Sequence, residues 1–348
     1  MAVFKGMVAA GHEEVAFFQD AETGLQAIVA VHSTVRGPGI GGVRIRDYRD
    51  EAEALTDVLR LSEAMSYKAA CAGLDCGGAK AVVMGPFPND RAAGMHALAG
   101  FVERLSGRYI ATEDMGMNES DIALLNEVTR YAVGRSLADG GSGDPSPHTA
   151  QGVVVGMRSA LRAAGMSADF EGLRVAVQGC GNVGFGVIER LIAGGAEVLA
   201  SDIDAAAVER ARVAGACIVD NDDILSADVD VLAPCGVGAI LSEQSIARLQ
   251  AHVIAGAANN QLATDADAAR LAERGIVYAP DFVINAGGLI NVADEVDPHG
   301  YNATRVAGRV AAIETTLDHI FAESAHTGRT SAQTALDMAH SRIGQASR

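Results

Sequence analysis

Apolar and polar positions alternate along this chain with two different periods. In the first 135 residues, apolar runs such as LQAIVAVH (25–32) predict strands, while DEAEALTDVLRLSEAMSYK (50–68) has helical spacing. Leu55, Val58, Leu59 and Ser62 recur three or four residues apart, and Asp50 with Glu53 three residues on marks the helix start. Met65 and Lys68 then share one face of that helix. The run KAVVMG (80–85) predicts another strand, followed by a helix over about 91–105, a strand YIATED (109–114) and a helix over about 119–128.

The segment DGGSGDPSPHTAQG (139–152), dense in Gly, Ser, Asp and Pro, breaks this pattern and predicts a domain boundary. Beyond it come a helix GVVVGMRSALRAAG (152–165), a strand LRVAVQG (173–179), a glycine turn and a helix VGFGVIERLIAGG (183–195). Strands EVLASDID (197–204), VDVLAP (229–234), HVIAGAA (252–258) and IVYAP (276–280) follow, separated by helices. Such alternation predicts a parallel, doubly wound sheet. The expected architecture is α/β with two domains: an N-terminal α/β domain over 1–135, and a Rossmann-type domain over 136–325. The last helix, within about 326–348, is expected to fold back on the first domain.

With 348 residues, 49% of them hydrophobic, the chain can bury a large core. Lys and Arg number 27 against 44 Asp and Glu, a net charge of −17 that repels nucleic acid and anionic membrane surfaces. The N-terminal stretch meets acidic residues before any signal-length apolar core, and no run reaches the roughly 18 apolar residues of a spanning helix, so the cytoplasm is expected. Five cysteines are scattered without a C-x-x-C pair, arguing against disulfides; nine histidines lack metal-ligand spacing, so no metal is expected. The 40 glycines gather in pairs and tight motifs, as turns built for ligands do.

One such motif is QGCGNVG. Gly179, Gly181 and Gly184 have G-x-G-x-x-G spacing between an apolar strand and a helix. There a tight turn, a close main-chain approach and a free helix N-terminus together hold a pyrophosphate. Asp202, 23 residues after Gly179 at the end of the next strand, suits the adenosine ribose hydroxyls and repels a 2′-phosphate, favouring NAD over NADP. The turn at Cys235, Gly236 and Val237 is expected to run close to the same cofactor.

A second motif, AMSYKAACAGLDCGGAKAVV (64–83), places Lys68 and Lys80 in apolar surroundings. A single such lysine ordinarily snorkels or pairs with a carboxylate. Two, one on a helix end and one just past a Gly77–Gly78 turn, suggest that each disfavours the other's charge, leaving one as a base and the other to hold an anion. Asp114, at a strand end, is placed to relay a proton or to serve as a plain turn aspartate. The stretches GAANNQ (256–261) and PDFVINAGGLINVADE (280–295) add paired asparagines and another Gly-Gly.

Together GPGIGGVR, MSYKAACAGLDCGGAK, TEDMG, GDPSPHTAQGV, QGCGNVG, AGAANNQL and YAPDFVINAGGLINVADE resemble the glutamate/leucine/phenylalanine/valine dehydrogenase family, closest to its leucine enzymes, through nearly the whole chain. The resemblance implies NAD-dependent oxidative deamination of an L-amino acid to a 2-oxo acid and ammonia, in a cleft between the two domains. It implies that Lys68 binds the substrate carboxylate, that Lys80 is the general base for the attacking water, and that Asp114 passes protons to and from the amine. Asn259 and Asn260 match the family's pair serving the carboxylate and the nicotinamide ribose, in an order left open. Thr149 and Asn285 fall near the carboxamide, Asn182 and Val183 at the glycine turn, and Gly42 and Met65 beside the substrate.

Ile40, Gly41, Thr112, Leu289 and Val292 match the pocket lining, and none is charged, so an aliphatic or aromatic side chain fits better than glutamate. Thr112 stands where typical leucine enzymes have a small apolar residue, and Leu289 where they have valine. A methylene is worth about 1–3 kcal/mol in selectivity, enough to move preference among leucine, isoleucine, valine and phenylalanine. The family implies a homo-oligomer, octamer or dimer. A phenylalanine dehydrogenase and a non-catalytic dinucleotide sensor are the alternatives.

Overall fold

The computed structural model describes residues 3–346, which divide by their contacts into two units. One unit comprises Met1–Asp144, Leu289–Ala303 and Ala339–Arg348; the other comprises Pro145–Gly288 and Thr304–Met338. In chain order the first unit contains α1 (Val3–Ala10), β1 (Glu14–Gln19), β2 (Gln26–Ser33), β3 (Gly39–Arg46), α2 (Glu51–Cys71), β4 (Gly77–Met84), α3 (Arg91–Arg104), β5 (Tyr109–Glu113) and α4 (Glu119–Asn126).

Its five strands lie in the order β1-β2-β4-β3-β5, antiparallel on the β1 side and parallel among β4, β3 and β5. Both faces are covered, as the near-continuous apolar runs require. Ala79, Ala81 and Val83 of β4 point into a core with Leu98, Phe101 and Val102 of α3, whereas Val82 packs with Leu55, Val58 and Leu59 of α2. Asp50 caps α2 by accepting from the Glu53 amide at 2.8 Å, as the spacing predicted.

Gly77 and Gly78 depart from expectation. They form no turn but open β4. A Cβ on Gly77 would collide with the Ser33 carbonyl, and one on Gly78 with the Ser66 amide of α2. The pair therefore allows strand and helix to approach closely, and Lys80 continues the Gly78 face toward α2.

The second unit holds α5 (Ser146–Ala163), β6 (Arg174–Gln178), α6 (Asn182–Ala193), β7 (Glu197–Ser201), α7 (Ala205–Ala214), β8 (Cys217–Ile218), β9 (Val231–Pro234), α8 (Glu243–Ile246), β10 (Val253–Ile254), α9 (Ala266–Glu273), β11 (Val277–Tyr278) and α10 (Asp281–Ile284). Its sheet is wholly parallel, ordered β11-β10-β9-β6-β7-β8. The order reverses between β6 and β9, the switch point at which doubly wound sheets take ligands.

Three helices close the chain: α11 (Gly287–Ala293), α12 (Ala303–Thr327) and α13 (Ser331–Ala346). The division differs from the expected span of 136–325, because residues 289–303 belong with the first unit and 304–338 with the second. The Glu295 carboxylate, 1% exposed, accepts from the Gly134 and Ser142 amides at 2.9 and 2.8 Å and from Arg135 at 3.2 Å. A buried carboxylate needs such donors, and they lie in 134–142. On α12, Val306, Val310, Ile313 and Leu317 form a buried stripe, with Ile313 and Leu317 seated against Gly152 and Gly156 of α5. Arg342 of α13 donates to the Ala70 and Cys71 carbonyls at 3.0 and 2.7 Å, satisfying the open end of α2. Among the described residues no disulfide is formed, and no helix is long and apolar enough to cross a membrane.

Candidate functional site

The first unit gathers an ionic cluster around Lys80. Its ammonium, on a side chain 6% exposed, lies 2.7 Å from Asp114 Oδ2 just beyond β5. Burial pushes the lysine below its ordinary range, and the charge of Arg44 pushes the same way, while Asp114 and Asp57 partly restore it. Burial would raise Asp114, but Lys80 and Arg44 outweigh it and hold this carboxyl below the usual range. Lys68 is the opposing cation expected from the sequence; in the structure Arg44 acts on Lys80, and it donates to Asp114 Oδ2 at 3.1 Å.

Gly42, on β3 opposite Thr112 of β5, gives the pair its room: a Cβ there would stand 2.6 Å from Asp114 Cβ and 3.0 Å from Lys80 Nζ. Gly41 is similarly fixed, since a side chain would strike the Ala79 carbonyl of β4. Met65 and Lys68 are half-buried on α2, three residues apart and so on one face. Ile40, Thr112, Leu289 and Val292 are all buried in this unit. Thr112 Oγ1 and Val292 Cγ1 both border Gly134, lying 3.3 and 4.0 Å from the place a Cβ would take.

The second unit carries the predicted dinucleotide residues at its switch point. Gly179 ends β6 with φ +95°, a left-handed conformation glycine adopts freely, and a Cβ there would lie 2.5 Å from the Gly236 amide. A Cβ on Gly184 would collide with the Gly179 carbonyl, so this glycine lets α6 pack against the turn. The turn after β9 belongs to the same constellation: Cys235 donates its amide to the Gln178 carbonyl at 2.7 Å, leading into Gly236 and the exposed Val237. Asp202 Oδ2 accepts from the Cys180 amide at 2.5 Å and Arg210 donates to the Cys180 carbonyl at 2.8 Å, gripping the glycine turn on both sides of that residue.

These residues fit a dinucleotide. Helix α6 starts at Gly181, Asn182 and Val183 with no side-chain cap, leaving N–H groups for an anion, and a Cβ on Gly181 would meet nothing within 4 Å. Among the described residues, Gln178 Oε1 and Ser201 Oγ beside the turn, and Asn285 Oδ1 just after α10, are buried oxygens without a protein partner. Asn285 donates to the Ala257 carbonyl and to Asn259 Oδ1, at 3.0 and 2.9 Å, so its own oxygen is held rigidly and free to accept, as a carboxamide NH2 requires. Asn260 takes a left-handed φ of 52°, its carbonyl accepting from Ala239. Thr149, on the first turn of α5, borders Gly288, where a Cβ would come within 2.7 Å of its hydroxyl.

Sequence reasoning missed Arg44 and Asp57. Arg44 also donates to Asp57 Oδ2 at 3.2 Å, and Asp57 accepts from Tyr48 at 2.9 Å and Arg60 at 3.0 Å. The available signal was the alternation along β3, where Arg44 falls two residues after Gly42 and so on its face.

Comparison with known proteins gives a consistent answer. Residues 12–131 match the Glu/Leu/Phe/Val dehydrogenase dimerisation domain, and residues 140–211 and 200–347 match the Glutamate/Leucine/Phenylalanine/Valine dehydrogenase domain. A leucine dehydrogenase of Bacillus subtilis (strain 168) is 44% identical over 330 residues, 94% of this chain and 90% of that protein. A phenylalanine dehydrogenase of Bacillus thermotolerans is 38% identical, over 95% of this chain and 88% of that one. The crystal structure of L-tryptophan dehydrogenase from Nostoc punctiforme superposes with a TM-score of 0.86 at 39% identity, covering 99% of this chain and 100% of that chain.

Proposed function

The chain belongs to the Glu/Leu/Phe/Val dehydrogenase family, enzymes acting on the CH–NH2 group of amino acids, and on that premise we propose that it oxidatively deaminates an apolar L-amino acid of the leucine, isoleucine or valine type, with NAD. The observation that carries the reading is the buried Lys80 ammonium, 2.7 Å from Asp114, with its affinity for the proton reduced by burial. A lysine so placed gives up its proton more readily than an exposed one, as a general base requires. The sensor alternative drops away, since the matching relatives are enzymes.

In this reading Lys68 pairs with the substrate carboxylate. NAD, when bound, accepts the hydride from the substrate Cα. Lys80 takes a proton from the water that attacks the resulting imine, and Asp114, bonded to Lys80, passes protons to the departing amine. Gly179, Gly181, Asn182, Val183 and Gly184 hold the pyrophosphate, Asp202 the adenosine ribose, and Asn285 with Thr149 the carboxamide. A carboxylate at 202 disfavours a 2′-phosphate, which supports NAD over NADP.

The uncharged lining of Ile40, Gly41, Thr112, Leu289 and Val292 supports an aliphatic side chain. Phenylalanine is the second reading, favoured by the likeness to the aromatic-substrate enzymes. The match to a dimerisation domain and the charge of −17 support a cytoplasmic homo-oligomer with no nucleic-acid or membrane partner. The test is a screen of L-amino acids with NAD and NADP, followed by NADH or NADPH absorbance. Leucine, isoleucine or valine with NAD should give the highest kcat/KM; a preference for glutamate, or for NADP, would overturn the corresponding part.

A further inference from the structure

Arg44 does something the base, acid and substrate residues do not. On β3 it sits between two carboxylates, donating Nε to Asp114 Oδ2 at 3.1 Å and a terminal nitrogen to Asp57 Oδ2 at 3.2 Å, with its side chain 16% exposed. Asp114 Oδ2 thus receives two cations at once, Lys80 and Arg44. Asp57, on α2, carries its own second layer: Tyr48 donates to the oxygen Arg44 uses, and Arg60 to the other. The chain Lys80–Asp114–Arg44–Asp57–Arg60 runs through β4, the residue after β5, β3 and α2, from a buried ammonium to an exposed guanidinium.

We propose that Arg44, backed by Asp57, is the positioning residue of the Lys80–Asp114 pair: its guanidinium fixes the Asp114 carboxylate and sets the charge against which Lys80 holds its proton. The proposal deepens the reading of Lys80 as the base and rests on it. An arginine stays charged at every working pH, so its effect cannot titrate away. Asp57 balances part of that charge. Removing the two residues should therefore move the base in opposite directions, because Arg44 opposes the charged form of Lys80 and Asp57 favours it. A residue that merely stabilises the fold has no reason to behave so.

Further titratable groups lie on the elements packed around the pair, among them Arg46 on β3 and Glu51, Glu53 and Tyr67 on α2. Besides Asp57 and Arg60, α2 carries Glu63 and Lys68; β2 carries His32, bonded to Ser66; β5 carries Tyr109 and Glu113 beside Asp114. Tyr109 donates its hydroxyl to the Gly41 carbonyl. All of these stay unchanged in the comparison below.

The experiment is the pH dependence of kcat/KM for leucine with NAD in wild type, R44Q, R44K, D57N and K80A. The substrate amine is common to all, so differences between profiles belong to the protein. R44Q should move the acid limb to higher pH by roughly half a unit or more, and D57N should move it to lower pH. R44K, which keeps the charge without the two-armed fork, should leave the limb near wild type while kcat falls about tenfold. If R44Q does not fold, as judged by its melting curve, D57N and R44K together decide. A limb that moves the same way in R44Q and D57N, or a limb unmoved in D57N, overturns the proposal. Turnover surviving in K80A would instead overturn the base assignment itself, so the two failures are distinguishable.

Discussion

The Lys80 ammonium and the Asp114 carboxylate meet at 2.7 Å beside Gly42, and the missing side chain of that glycine leaves them the space. A methyl group at 42 would press on Asp114 Cβ at 2.6 Å and on Lys80 Nζ at 3.0 Å. G42A should therefore lower kcat by about a hundredfold, since misplacing a proton-transfer pair by an ångström has effects of that order. Steady-state kinetics beside a melting curve checks this. Wild-type kcat in a folded G42A protein would mean that the pair tolerates displacement.

At the other site, Asp202 accepts from the Cys180 amide and, in the proposed reading, meets the adenosine ribose; two variants separate the two. D202N keeps an oxygen able to accept from the Cys180 amide but loses the charge; D202A loses both. D202N should bind NAD somewhat more weakly and admit NADP, while D202A should weaken both cofactors, NAD by roughly tenfold. Fluorescence titration of each dinucleotide reads the difference. Unchanged NADP affinity in D202N would remove the 2′-phosphate argument.

Substrate choice should respond to Thr112, whose hydroxyl borders Gly134 opposite Val292. T112A enlarges the apolar lining, and the ratio of kcat/KM for phenylalanine over valine should rise about tenfold. An unchanged ratio would place the selectivity elsewhere.

Much of the fold is legible in the sequence, and the exceptions share a cause. The Asp50 cap and the glycine turn at 179–184 are signals contained within a few residues, and both appear as read. Gly77 and Gly78 look like a turn locally. They serve instead to bring β4 against Ser33 of β2 and Ser66 of α2, a requirement set by elements elsewhere in the chain. Arg44 is legible only by its place on the Gly42 face of β3, for the same reason: its partners lie 13 and 70 residues away, and an arginine near a strand end ordinarily reads as surface.

Two buried histidines give the first unit a sensitivity to acid. His12 donates Nε2 to the Leu59 carbonyl at 3.0 Å, His32 donates Nε2 to the Ala10 carbonyl at 2.9 Å, and the rings meet edge to face. Burial lowers both below the ordinary histidine value of 6.5; His32 lowers His12 further, and His340 lowers His32. The unfolded chain then binds protons that the folded one refuses, so stability is full above about pH 6.5 and falls as the pH drops through the folded values. Each group contributes a slope of at most about 1.4 kcal/mol per pH unit in that window. Tm should fall between pH 7.5 and 5.5, and less steeply in H32Q. Equal slopes in the two proteins would contradict the assignment to His32.

Whether Lys80 is the base is read most directly from turnover by K80A alongside its binding of NAD. Loss of kcat by about a hundredfold to ten-thousandfold, with NAD affinity unchanged, is the expected result. Near-normal turnover in K80A would contradict it.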